Sequence, residues 1–343
     1  MTERLLRGLG LLAVVTPFVV GLTAAGADRD GREVLRFQDP EIVESSGLVV
    51  EGDLLHTTND SGDTGRVFTV DLGTGETVGE TFWADGPDDV EALAPAGRGH
   101  VWVADIGDNT ASRDSISVTR VPVGTGTRTV AEEAFDLVYP DGQRDAEALL
   151  VHPVTGRVYV ATKGVFAGEL YAAPPDLADD APNMLGLLGT TTGIVTDGAF
   201  LPDGEHLVLR TYTTAVLYTF PALEQVAAFD LPSQQQGEGI AAPSTDVVFL
   251  SSEGQRAPVL GVPLPRDVRT LLAPTPSGSV AQSTAPAAAA TAPTASDAAA
   301  PATGAGTSAD TAPTVDGRAW GWAIGAVVSI GAVVVLLRAL KPR

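Results

Sequence analysis

The 343-residue chain is predicted to be all-β, a single β-propeller of five four-stranded blades, followed by a C-terminal transmembrane helix. Three observations predict this. The first is a short phrase written five times: Ser46-Gly47-Leu48, Val90-Glu91-Ala92-Leu93, Ala146-Glu147-Ala148-Leu149, Thr196-Asp197-Gly198-Ala199 and Gly237-Glu238-Gly239-Ile240. The second is its spacing. Each copy precedes a turn and a β-rich run, and Ser46 and the acids Glu91, Glu147, Asp197 and Glu238 of successive copies stand 45, 56, 50 and 41 residues apart, the length of a propeller blade. The third is the contrast between this middle region and two apolar ends.

Taken in order, residues 1–27 read as a secretory signal. Arg4 and Arg7 start it, Leu9 to Leu22 is apolar, and Ala25-Gly26-Ala27 offers small residues for cleavage before Asp28. Val34-Leu35-Arg36-Phe37 is a strand candidate without a hairpin partner of its own. It is expected to complete the last blade, which is one strand short, and so to close the ring. Blade one holds Ser46–Val50, Leu54–Thr58, Arg66–Val70 and Thr77–Phe82, separated by Asp- and Gly-rich turns. Blade two runs from Asp88 to about Arg144, with an extra loop over Asn109–Asp114. Blade three starts at Asp145 and includes a Pro-, Asp- and Ala-rich loop over residues 174–186. Blade four starts near Ile194 and blade five at Gly237. In blade four either Ala199 or Phe200 can take the position of Leu93, and a one-residue slip would carry Asp197 to the other face of its strand.

Residues 28–272 are thus the folded ectodomain, and residues 266–272 are expected to lead out of it. Residues 273–317 are almost wholly Ala, Pro, Thr, Ser and Gly, a composition that cannot bury a core and reads as an extended stalk. Residues 318–340 form the expected transmembrane helix, with 18 uncharged residues from Trp320 to Leu337 and two flanking Trp at the outer end. Arg338, Lys341 and Arg343 place the 341–343 tail in the cytoplasm. The expected location is therefore the cell membrane, single-pass type I, with the propeller outside.

Charge narrows the function. Residues 28–272 hold 15 basic and 39 acidic side chains, a net −24, which repels nucleic acid and anionic lipid. There is no Cys, so disulfides, thiolate metal sites and a lipoprotein anchor are excluded, and the core alone must hold the fold.

The acids of the repeated phrase, Glu91, Glu147, Asp197 and Glu238, with Ser46 as the neutral member, stand at the start of each innermost strand. The end of the following strand is expected to carry Asp60, Asp105, Thr162, Thr211 and Ser252. An antiparallel hairpin brings its first and last residues to one end, so both sets should crowd one mouth of the central channel. Crowded carboxylates persist by holding a cation, sharing protons or pairing with bases. Hard oxygen ligands suit Ca2+ or Mg2+ rather than Zn2+. The loops Asn59-Asp60-Ser61-Gly62-Asp63 and Asp105-Ile106-Gly107-Asp108-Asn109 set acids three apart around a Gly. Such acids either coordinate a cation or satisfy turn N–H groups. Candidate metal ligands are Asp60, Glu91, Asp105, Asp108, Glu147, Asp197 and Glu238, with Ca2+ as the candidate cofactor. Lys163, Arg210 and Tyr212 approach the same end and are candidates to grip an anionic ligand. Alternatively, Lys163 and Arg210 form internal ion pairs with Glu147 or Asp197. His56 is expected to pack in the core, and the other three His lie in turns. Ser45 and Ser46 have no assignable His or Asp partners for nucleophilic work.

The phrases Glu44-Ser45-Ser46-Gly47-Leu48, Asp89-Val90-Glu91-Ala92-Leu93, Asp105-Ile106-Gly107-Asp108-Asn109, Asp145-Ala146-Glu147-Ala148-Leu149 and Pro202-Asp203-Gly204 span about 220 residues. Through them the ectodomain resembles bacterial secreted β-propellers of the phytase-like group, including those described as having esterase-like activity of phytase. The resemblance implies a propeller fold, several Ca2+ ions and a basic cluster that holds phosphate. This chain departs from the group in its few basic residues near the mouth and in its five blades, where that group has six. The expected function is a membrane-tethered extracellular binding module with Ca2+ at the funnel mouth, its partner an extracellular protein, a glycan or a small anionic ligand. The alternatives are a metal-dependent phosphate- or carboxyl-ester hydrolase working at the same mouth, and a structural spacer.

Overall fold

A computed structural model describes residues 31–273 apart from residues 61, 85 and 132, so the expected signal, stalk, transmembrane helix and tail lie outside the described residues. No helix among the described residues is long and apolar enough to cross a membrane.

The described chain forms five sheets, each built on four antiparallel strands, arranged as a five-bladed propeller. Strand β1 (Arg32–Arg36) comes first in the chain but belongs to the last blade. Blade one is β2 (Ser45–Glu51), β3 (Leu54–Asn59), β4 (Gly65–Asp71) and β5 (Thr77–Ala84), from the channel outward. Blade two is β6 (Val90–Pro95), β7 (His100–Asp105), β8 (Ile116–Pro122) and, beyond β9 (Gly126–Thr129), the outer strand β10 (Ala134–Val138). Blade three is β11 (Ala146–Val151), β12 (Val158–Thr162), β13 (Ala167–Ala172) and, beyond β14 (Asn183–Met184), β15 (Gly186–Thr192). Blade four is β16 (Asp197–Phe200), β17 (His206–Arg210), β18 (Thr214–Thr219) and β19 (Gln225–Asp230). Blade five is β20 (Gly237–Ala241), β21 (Val247–Ser252) and β22 (Pro258–Pro263), completed by β1, which pairs antiparallel with β22. The ring is therefore closed by its own first strand, as the unpartnered run near Val34 predicts. The two short strands β9 and β14 were not foreseen. Each pairs parallel with the outer strand of the preceding blade, β9 with β5 and β14 with β10, and covers an otherwise open edge.

There is no single central core. Five apolar clusters each lie between consecutive blades. Val49, Val67 and Trp83 of blade one meet Leu93, Val101 and Val103 of blade two, for example. Inner strands are covered on both faces, so they read as continuous runs such as Ala146–Leu150, all buried, while an outer strand such as β19 is largely exposed. Residues 266–272 do not simply lead away. They form a short helix, α1 (Arg266–Leu272), whose Val268 is buried in the cluster between blades four and five.

The repeated phrase is explained by the convergence of inner strands around the channel. The residue after its acid, or after Ser46 in the first copy, is Gly47, Ala92, Ala148, Gly198 or Gly239. A Cβ on Gly47 would lie 2.1 Å from the Leu93 backbone nitrogen, and one on Gly239 would lie 2.9 Å from the Ser46 carbonyl oxygen. Hydroxyls also tie neighbouring blades together: Ser46 Oγ donates to the Glu91 carbonyl at 2.5 Å, and Thr196 Oγ1 donates to the Glu238 carbonyl at 3.1 Å.

Candidate functional site at the propeller mouth

A backbone irregularity aims the acids of the phrase. Val90 faces Asp105 and Ala92 faces Ala104, so Glu91 is one extra residue in its strand. Glu147 is likewise extra between Ala146 and Ala148. One residue is also inserted between Ser45 and Leu48 and between Gly237 and Ile240. Four of the five inner strands thus carry a bulge at the acidic position or its Ser46 equivalent, and a bulge re-aims a side chain. Blade four has none: Asp197 pairs regularly with Arg210. That register settles the one-residue ambiguity in the sequence, and it separates Asp197 from the other acids. The strand ends also differ by a residue from expectation in two blades, where Asn59 and Arg210, not Asp60 and Thr211, face the inner strand.

Carboxylate oxygens of Asp60, Asp89 and Glu91 lie within 4.8 Å of one another. Burial, then the charges of Glu147, Asp60 and Asp89, push Glu91 far above the usual carboxylate range. Burial and the Asp60 charge also raise Asp89. Gly107 makes this approach possible: a Cβ there would lie 2.4 Å from Asp89 Oδ2 and 2.6 Å from Glu91 Oε1. The Asp89 carbonyl accepts from the N–H groups of Ile106 and Gly107, both at 3.1 Å, which fixes the loop against the acids.

Glu147 is buried and ion-paired with Lys163. Burial raises its carboxyl and the Lys163 bond only partly offsets that rise. Burial works against the Lys163 charge, but the bond to Glu147 outweighs it and the ammonium is held more strongly protonated than usual. The Lys163 Nζ stands 5.9 Å from the Tyr212 ring centroid, a cation–π distance. Glu238 is buried, and burial together with the Glu147 charge raises it to about 8. A cavity of about 420 Å³ opens beside this group, lined by Arg144, Asp145, Thr162, Lys163 and Glu169 among others.

The remaining candidates are placed differently. Asp105 accepts from the N–H groups of Asp88 and Asp89 at 2.8 and 3.0 Å and pairs with Arg113 at 2.7 Å. Asp108 accepts from the N–H groups of Ser112 and Arg113, both at 2.8 Å through Oδ2, and so organises the following turn. Asp197 is fully buried and accepts from Gly198 N and, across the blade boundary, Ile240 N, each at 2.7 Å. Burial pushes its carboxyl well up. Arg210 is fully buried as well. Its Nη1 donates to the carbonyls of Gly239 at 2.6 Å and Ser251 at 2.8 Å, and its Nη2 donates to Gln234 Oε1 at 2.6 Å. Burial lowers its pKa to about 10. His56 is buried in blade one with Nδ1 3.1 Å from Thr69 Oγ1.

Sequence reasoning missed Asp89. A signal was present: Asp89-x-Glu91 and Asp145-x-Glu147 repeat an acid two residues before the phrase's own acid in blades two and three. No protein-family model and no curated protein matches the chain.

Proposed function

We propose that the propeller is a membrane-tethered extracellular interaction module whose recognition surface is the channel mouth, with Ca2+ held by Asp60, Asp89 and Glu91. The observation that carries this reading is the convergence of three carboxylates within 4.8 Å, one of them buried. The donors are all hard oxygens, with no nitrogen or sulfur among them, which fits Ca2+. A calcium shell takes about six to eight oxygens. Three side chains leave much of it to water or to a bound partner, and the ion would neutralise the charge that Glu91 and Asp89 otherwise hold against each other. Tethering follows from the expected signal, stalk and C-terminal span.

The phytase-like resemblance favours a hydrolase instead, and that reading needs cationic groups free to hold a phosphate. Arg210 is spent on backbone carbonyls and Lys163 on Glu147, which favours binding over hydrolysis. A spacer has no use for buried, mutually repelling acids. Calorimetric titration of the purified protein with CaCl2 tests the proposal. Heat of binding is expected for the parent and its loss for Asp89→Asn and for Asp60→Asn. A blank parent titration at millimolar Ca2+, with an unshifted melting temperature, rules the cation out.

A further inference from the structure

We propose that the mouth docks a cationic protein segment carrying an apolar anchor, which seats on Val165, Phe166 and Ile194 and spreads its charge over the acids of blades one, two and five. This rests on the interaction-module reading and names the partner's chemistry.

The two connections involved both open on the mouth. The β12–β13 loop leaves the strand end that faces Ala146, and the β15–β16 connection enters Asp197. On them Phe166 is 95% exposed, Val165 73% and Ile194 43%. A lone exposed apolar residue needs no explanation. Here three lie on two loops locked together. Ile194 N donates to the Gly164 carbonyl at 2.7 Å, and a Cβ on Gly193 would lie 2.6 Å from that same oxygen and 2.8 Å from the Phe166 carbonyl carbon. Ile194 has φ 55°, a left-handed conformation that a β-branched residue adopts only when its surroundings impose it. The platform is therefore built, not frayed. Tyr212 lies on the neighbouring loop, next to Lys163.

Charge divides the same face. The segments that follow the second and fourth strands of blades three and four, residues 163–166, 193–196, 211–213 and 231–236, contain no Asp or Glu; Asp145, which opens blade three, borders them, its carbonyl accepting from Lys163 N at 2.9 Å. Those of blades one, two and five carry Asp88, Asp114 and Glu253 besides the proposed calcium ligands Asp60 and Asp89. An exposed apolar patch beside an acidic surface suits a partner with the opposite charge and its own apolar group, the anchor supplying affinity and the charges steering encounter. A second copy would bring one net −24 domain against another, and anionic lipid meets the same repulsion.

A displayed random-peptide library panned against the full-length protein in detergent, with Ca2+ and with chelator, tests this. Enriched peptides are expected to be net positive with an aromatic or branched apolar residue. Their affinity should fall with salt and weaken at least ~10-fold, about 1.4 kcal/mol, in the Val165→Ser/Phe166→Ser double variant. The variant's melting temperature should match the parent's, because both side chains are exposed. Enriched peptides that are neutral or acidic, or that bind the double variant equally, overturn the inference while leaving the module reading in place. No enrichment at all removes both. Binding to lipid vesicles, or dimerisation, that the double variant abolishes would assign the patch to a membrane or to a second copy and likewise overturn it.

Discussion

Arg210 shows how a single residue can be claimed by architecture. It stands at the end of β17, where a basic group could face a ligand, yet its donors reach Gly239, Ser251 and Gln234 across the boundary between blades four and five. Asp197 makes the reciprocal crossing to Ile240 N. Removing Arg210 would strand buried acceptors and leave Asp197 and Glu238 without their nearest buried cation. Breaking such a buried group from one side costs about 3–5 kcal/mol. Arg210→Ala is therefore expected to lower unfolding stability by about that much in urea denaturation, and Arg210→Lys, which keeps the charge without the fork, by less. A loss within about 1 kcal/mol would mean that the guanidinium is not structural. Asp105 and Asp108 make the same point, with carboxylates occupied by Arg113 and by turn N–H groups. Their residue types and spacing are what a metal loop and a capped turn share, so the sequence alone leaves the two roles undivided.

At the scale of elements, the small residue in the phrase is a strand-packing requirement. Gly47→Ala would drive a methyl group into the Leu93 backbone, which β2 and β6 relieve only by separating, at about 3 kcal/mol or more. Gly52→Ala, at φ 60° in an open turn, should cost only about 1–2 kcal/mol. Comparing the two melting temperatures checks the claim; equal losses would contradict it. Gly107→Ala leaves the strands alone but pushes against the Asp89 and Glu91 carboxylates, so it should weaken Ca2+ binding by calorimetry with a nearly unchanged melting temperature. The five blades and the closing strand were legible in the sequence because apolar periodicity and turn residues repeat with them. The bulges at Glu91 and Glu147 were not, since a bulge is a matter of pairing and leaves the residue types unchanged. Strands β9 and β14 are four and two residues long, too short to show any period. Helix α1 is also short, and only its Val268 declares a buried side.

Across the whole molecule, the buried acids make stability a function of pH and of cations. Glu238, raised to about 8, and Glu147, also raised, hold protons more tightly in the native chain than in the unfolded one. Raising the pH through their native values therefore costs stability. His56, lowered from 6.5 to about 4 by burial, acts the other way, but only between those values, where the unfolded chain binds its proton more tightly. From 6.5 to about 8 the acids act alone. A bound cation would hold Glu91 and its neighbours in the charged form and cancel their repulsion. The most direct measurement is the melting temperature across that pH window, with chelator and with Ca2+. A fall with rising pH is expected in chelator, and a higher, flatter line with Ca2+. Identical curves with and without Ca2+, or a rise with pH in chelator, would rule out a cation held by these buried acids.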